Sequence, residues 1–119
     1  MSDRIIMAAL DSDGQLTGVG RSRRIGAGTV RGSSIVVWSE ADVAWNSEGP
    51  AENEGMRHAN VVKVLTHVGG KELIAAGAGP DMRRMLEKLG IHLVVAAGPG
   101  RAAVDRLAGG LELPLASHP

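Results

Sequence analysis

The stretch "AAGAGPDMRRMLEKLG", Ala75–Gly90, runs from a glycine-rich turn through a proline into an apolar helical stripe. The chemistry open to such a turn is anion binding. The first turn of a helix has backbone N–H groups without partners and a partial positive charge, and both favour anions. Gly77 and Gly79 are the candidate cradle, with Met82 just inside the helix. They begin a G-x-G-x-x-G pattern, but Met82 stands at its last position. No acidic residue follows about 20 residues on, so a dinucleotide site is not indicated. "VGGKE" lacks the spacing of a nucleotide P-loop. A tight strand-to-helix corner also calls for glycine, and that is the commoner reason for such a turn. Met82 and Met85 likewise fit ordinary core packing.

Arg21, Arg23, Arg24 and Arg31 fall within Asp11–Ser34, a stretch with six glycines and no sustained period. This reads as a long loop, mobile without ligand and able to order over the anion-favouring edge. Guanidinium forks suit carboxylates and phosphates, although solvated loop charge is the blander reading. Of the histidines, His58 is the candidate metal ligand. It lies one turn before Val61 and Val62 near the start of a helix, where the positive helix end keeps imidazole neutral and able to donate to a metal. A hydrogen-bonded core histidine is the alternative. No H-x₃-H or H-E-x-x-H spacing occurs, so a zinc site is not supported. Asp11, Asp13, Glu40 and Asp42 are placed past a strand end and in a hairpin turn. They are not expected to converge as nuclease carboxylates would.

These residues need a scaffold. "RIIMAAL" (Arg4–Leu10) is a continuous apolar run suited to a central buried strand. "SIVVWS" and "DVAWN", joined by "SEAD", read as an antiparallel hairpin over Ile35–Asn46. "MRHANVVKVLTHVGG" has helical spacing with Gly69 as terminator. Two strand–turn–helix units follow, "LIAAGAGPDM" and "LVVAAGPGRA", then a tail over residues 110–119. Such units make a parallel sheet with helices on its faces. The expectation is a single-domain α/β fold with a mixed five-stranded sheet. Arg4–Leu10 should be central and Leu73–Gly77 parallel beside it.

Composition narrows the function classes. The chain has 119 residues and zero formal net charge, which disfavours a general nucleic-acid binder. It has no cysteine, hence no thiolate ligand or disulfide. No apolar run approaches the roughly 18 residues of a membrane span, and no signal peptide is visible, so a cytoplasmic protein without nucleic-acid or membrane partners is expected.

"GPDMRRMLEKLGIHLVVAAGPGRAAV" (Gly79–Val104) resembles the dinitrogenase iron–molybdenum cofactor biosynthesis family, the nitrogenase accessory-factor-like domains. "EGMRHANVVKVL" (Glu54–Leu65) is similar to that family's histidine-bearing helix, with His58 at the second histidine of its pair and Arg57 at the first. "IIMAALDSDGQL" fits its first strand and turn. The resemblance implies an RNase H-like motif, three layers α/β/α with strand order 3-2-1-4-5. It also implies a non-enzymatic carrier of iron–sulfur or iron–molybdenum cofactor precursors, partnered by a cofactor-assembly protein. Such cargo is anionic, which suits the arginines and helix N-termini. The first loop here reads "VGRSRRIGAG", without the family's histidine and phenylalanine, and Ala76-Gly77-Ala78 replaces a histidine and methionine. The alternative is therefore a member without the cluster that binds a small anion or a protein partner.

Overall fold

The computed structural model describes residues 3–43 and 54–111, with only the backbone given for residues 54–59. Strand β1 (Arg4–Leu10) is the centre of the sheet, and its residues from Ile6 to Leu10 are wholly buried. Alternate side chains serve different layers. Met7 and Ala9 join the core beneath the helices α1 (Glu54–Val68) and α2 (Pro80–Lys88), while Ile6, Ala8 and Leu10 join the core beneath α3 (Gly100–Ala108). A strand buried on both faces needs apolar residues at both parities, which is why "RIIMAAL" does not alternate.

On one side β1 pairs antiparallel with β2 (Arg24–Arg31), and β2 with β3 (Ser34–Asp42). On the other it pairs parallel with β4 (Glu72–Ala75), and β4 with β5 (His92–Val95). The sheet order is β3-β2-β1-β4-β5. This is the expected mixed five-stranded sheet with helices on both faces, Arg4–Leu10 at its centre and β4 parallel beside it.

The hairpin differs from the sequence expectation in its strands. Residues 24–31 form a strand rather than the second half of a loop, and Ile35–Asp42 is one strand rather than two halves of a hairpin. The turn is Gly32-Ser33, where Gly32 has φ +70° and Ser33 does not leave the ordinary region. That is the pattern of a type II′ turn, whose twist matches the flanking strands. Ala44, Trp45 and Asn46, placed in the expected second strand, lie outside the described residues. So does most of the 110–119 tail.

Glycine misled the reading of β2. Gly26 and Gly28 point to the α3 face, and a Cβ at Gly26 would come within 2.7 Å of the Trp38 ring. At Gly28 a Cβ would lie 2.9 Å from Val104. Gly28 is the cross-strand partner of Trp38. The indole therefore covers the strand surface that the two glycines leave bare, supplying the packing their own side chains lack.

Among the described residues, no helix is long and apolar enough to cross a membrane.

Candidate functional site

β1, β4 and β5 all deliver their C-terminal ends to one edge, where segments 11–23, 76–79 and 96–99 begin. In an open α/β sheet this is the edge at which ligands sit. Segment 11–23 crosses it as fixed structure. The Asp11 carboxylate accepts from the N–H groups of Asp13 (2.8 Å) and Gln15 (3.0 Å), shaping the first turn. Leu16 N–H then donates to Gly98 (2.8 Å), Thr17 N–H to Ala9 (3.0 Å) and Val19 N–H to Gly77 (3.1 Å). Ala76 N–H returns a bond to Thr17 (2.9 Å), and Arg23 N–H closes on Leu10 (2.8 Å). Leu16 and Val19 are buried in the core, and the buried Ser22 hydroxyl donates to Val19 O at 2.6 Å. The segment bonds to the ends of β1 and to the turns that follow β4 and β5. This corrects the expected mobile lid over Asp11–Ser34: the first part is stitched to the sheet and the second is strand β2.

The two glycine turns at this edge differ. At the N-terminus of α3, Gly100 N–H donates to Gly14 O (2.9 Å), and the Leu10 side chain fills the place a Gly100 Cβ would take. That helix end is closed by the protein itself. At the N-terminus of α2, neither Gly77 nor Gly79 has a positive φ, and a Cβ at either would meet nothing within 4 Å. Gly79 is the N-cap residue and no side chain caps the helix there. Neither backbone strain nor packing demands glycine at these positions. Their effect is to leave the helix end uncovered, with its first-turn amides available.

Around this turn the charges are unevenly committed. The Val19 N–H holds the 3₁₀ turn Val19–Arg21 against Gly77, which brings the backbone of Arg21 near this turn. Arg21 and Arg23 are exposed and have no carboxylate partner among the described residues. Arg83, which the sequence reading did not single out, folds back from α2 to donate from Nε to Ala78 O at 2.9 Å. Its position four residues after the N-cap Gly79 was the available signal. Asp81, in the first turn of α2, pairs with Arg84 at 2.5 Å.

The other candidates are placed differently. Arg24 is engaged on β3, at 3.2 Å from both Glu40 and Asp42, which corrects its placing in the anion lid. Those two carboxylates are strand residues rather than turn residues, and they do converge, on a guanidinium. Arg31 lies at the opposite end of β2, paired with Asp3 at 3.1 Å. Met82 is only 5% exposed and packs with the α1–α2 core, so its thioether serves packing and not the open edge. The His58 backbone is in the first half of α1, and its side chain lies outside the described residues. Among the described residues, no group of three or more His, Cys, Asp and Glu gathers as metal ligands.

The perturbed carboxylates are remote from this edge. The Arg4 guanidinium hydrogen-bonded to Glu72 holds that carboxyl below its usual range, and Arg31 does the same for Asp3. Both pairs sit where β1 begins. What the described residues offer at the α2 edge is amide donors and guanidinium charge.

Among solved structures, the crystal structure of PH0822 superposes with a TM-score of 0.72 at 18% sequence identity, covering 92% of this chain and 93% of that one. The NMR structure of a candidate dinitrogenase (MJ0327) from Methanococcus jannaschii gives a TM-score of 0.64 at 12% identity, covering 100% of this chain and 98% of that one. No protein-family model matches the sequence, and no curated protein matches it. The chain thus shares the α/β fold of these two structures.

Proposed function

We propose that this chain is a non-enzymatic binding protein that holds a small anionic cargo at the α2 edge and passes it on. The cargo class is an iron–sulfur or iron–molybdenum cofactor precursor, and the recipient a cofactor-assembly protein in the cytoplasm. The observation that carries the reading is the Gly77–Ala78–Gly79 turn, open where glycine is not needed, at an uncapped helix end beside Arg21 and Arg83. The cargo class is the one the sequence resemblance implies, and the fold shared with MJ0327 is consistent with a nitrogenase-related role.

The described residues fit the charged outer surface of such a cargo better than its metal atoms. They provide hydrogen-bond donors and positive charge, and no gathered ligand set. Grip of this kind is weak and salt-sensitive, because exposed charges are screened over roughly 8–10 Å at 0.1–0.15 M salt. Weak grip suits a carrier. His58 is the one residue proposed to add coordination, through a neutral imidazole nitrogen.

A second reading, a metal-free anion site, is favoured by the same lack of gathered ligands. Anaerobic titration of the apo-protein with iron–sulfur and iron–molybdenum clusters, followed by absorbance and gel filtration, separates the two. A parallel titration uses molybdate and sulfate. The carrier reading expects stoichiometric cluster uptake, and reduced uptake by folded His58→Asn with an unchanged melting temperature. Uptake of oxyanions alone leaves the metal-free site. Absence of both removes the α2 edge as a binding site.

A further inference from the structure

We infer that the outer edge of β3, together with the flank of α3 carrying Arg101 and Asp105, is a contact surface for a second copy of this chain. β3 is an edge strand, and among the described residues no strand pairs with its outer side. Val36 and Val37 on it are 48% and 56% exposed. An open edge of this kind is a template for another strand, and proteins usually guard it with charge. Here the guard is partial: Ser34–Trp38 carries no charge, a bulge sets Val36 out of register with β2, and Arg24 balances only one of the two charges of Glu40 and Asp42.

Charge complementarity selects the occupant. A groove beside β3 is lined by Ile35, Arg101, Ala102 and Asp105. Arg101 and Asp105 lie one helical turn apart on the same flank of α3, and among the described residues neither side chain has an ion-pair partner. The Arg101 guanidinium instead lies 6.0 Å from the centre of the Trp38 ring, next to the sheet edge. A two-fold axis perpendicular to the sheet, through the middle of β3, pairs the two β3 strands antiparallel. It sets the two α3 helices antiparallel on one face of a continuous sheet. Arg101 of each copy then faces Asp105 of the other, so a single symmetry operation makes both ion pairs. Pairing centred on Val36–Trp38 also keeps Glu40 and Asp42 of the two copies apart. The other sheet edge, β5, has four residues, and its apolar Leu93, Val94 and Val95 are only partly exposed.

Sedimentation equilibrium of the full chain, from micromolar to millimolar concentration, tests this. The wild type should be a reversible dimer in that range. Arg101→Glu and Asp105→Arg should each weaken it by about tenfold, since two attractive pairs become repulsive. The Arg101→Glu/Asp105→Arg double variant should restore the wild-type constant, and Val37→Lys should leave a monomer. All these positions are exposed, and circular dichroism checks that each variant is folded. A wild type that stays monomeric throughout overturns the inference. So does a dimer indifferent to Val37→Lys and to both charge reversals, or a double variant no tighter than the single ones.

Discussion

The tripeptide Gly-Ala-Gly occurs twice, as Gly26–Gly28 and as Gly77–Gly79, and the backbone makes opposite use of it. In β2 the glycines are where the Trp38 ring and Val104 need room; at the start of α2 nothing occupies the space. The consequence is a pair of opposed stability effects. Gly26→Ala should cost about 1–3 kcal/mol, as overpacking does. Gly77→Ala should instead raise stability by about 0.4–1 kcal/mol, by restricting the unfolded chain at a position with ordinary angles. Urea unfolding of both variants measures this, and an equal loss at Gly77 would make that turn a structural necessity. The sequence shows where these glycines are but not which kind each is, because the distinguishing neighbours are Trp38, Leu10 and Val104, all distant along the chain. Met82 was legible in part: the sequence offered it both as a cradle residue and as core, and its burial decides for the core. Arg24 was not, since its partners Glu40 and Asp42 become neighbours only once the hairpin register exists.

At the scale of elements, segment 11–23 is expected to behave as part of the sheet. Amides of Leu16, Thr17, Val19 and Arg23 all donate to backbone carbonyls, so they should exchange with solvent nearly as slowly as those of β1, with or without anions. Fast exchange there that slows only on anion binding would restore a mobile lid. Its glycines and lack of period gave the appearance of a loose loop, because a segment fixed by single bonds to several turns has no repeat to read. Helices α1, α2 and α3 were legible, since apolar spacing and the terminators Gly69 and Gly90 are local signals. The start of β1 is tied to the start of β4 by Arg4 and Glu72, at 2.6 Å. Glu72 is held below its usual range by that hydrogen bond, so the pair stabilises the fold fully above the ordinary glutamate value of about 4.3. The contribution fades as pH falls through the lowered value. Arg4 is largely exposed, which limits the contribution to at most about 1 kcal/mol. Denaturation of Glu72→Gln against wild type should show a gap at neutral pH that closes in acid; a gap that widens in acid would contradict the assignment.

For the whole molecule, the mixed sheet followed from the order of the elements, the strand order and layers from the family resemblance, and the structure has both even though the hairpin strands were misplaced. The topology tolerates that error because the hairpin β2–β3 still follows β1 directly and pairs antiparallel beside it. Function is less legible, since the fold positions an edge and its occupant depends on a few side chains. The account's central claim is that this edge holds an anionic cargo by charge and amide donors. The most direct test is anaerobic cluster titration of wild type and of Arg21→Gln/Arg23→Gln, each scaled to folded protein and repeated at low and high salt. Both arginines are exposed and without carboxylate partners among the described residues, so the variant should unfold like the wild type. The account predicts wild-type uptake that weakens with salt, and weaker, less salt-dependent uptake by the variant. Equal uptake by both proteins at every salt concentration, or none by the wild type, would contradict it.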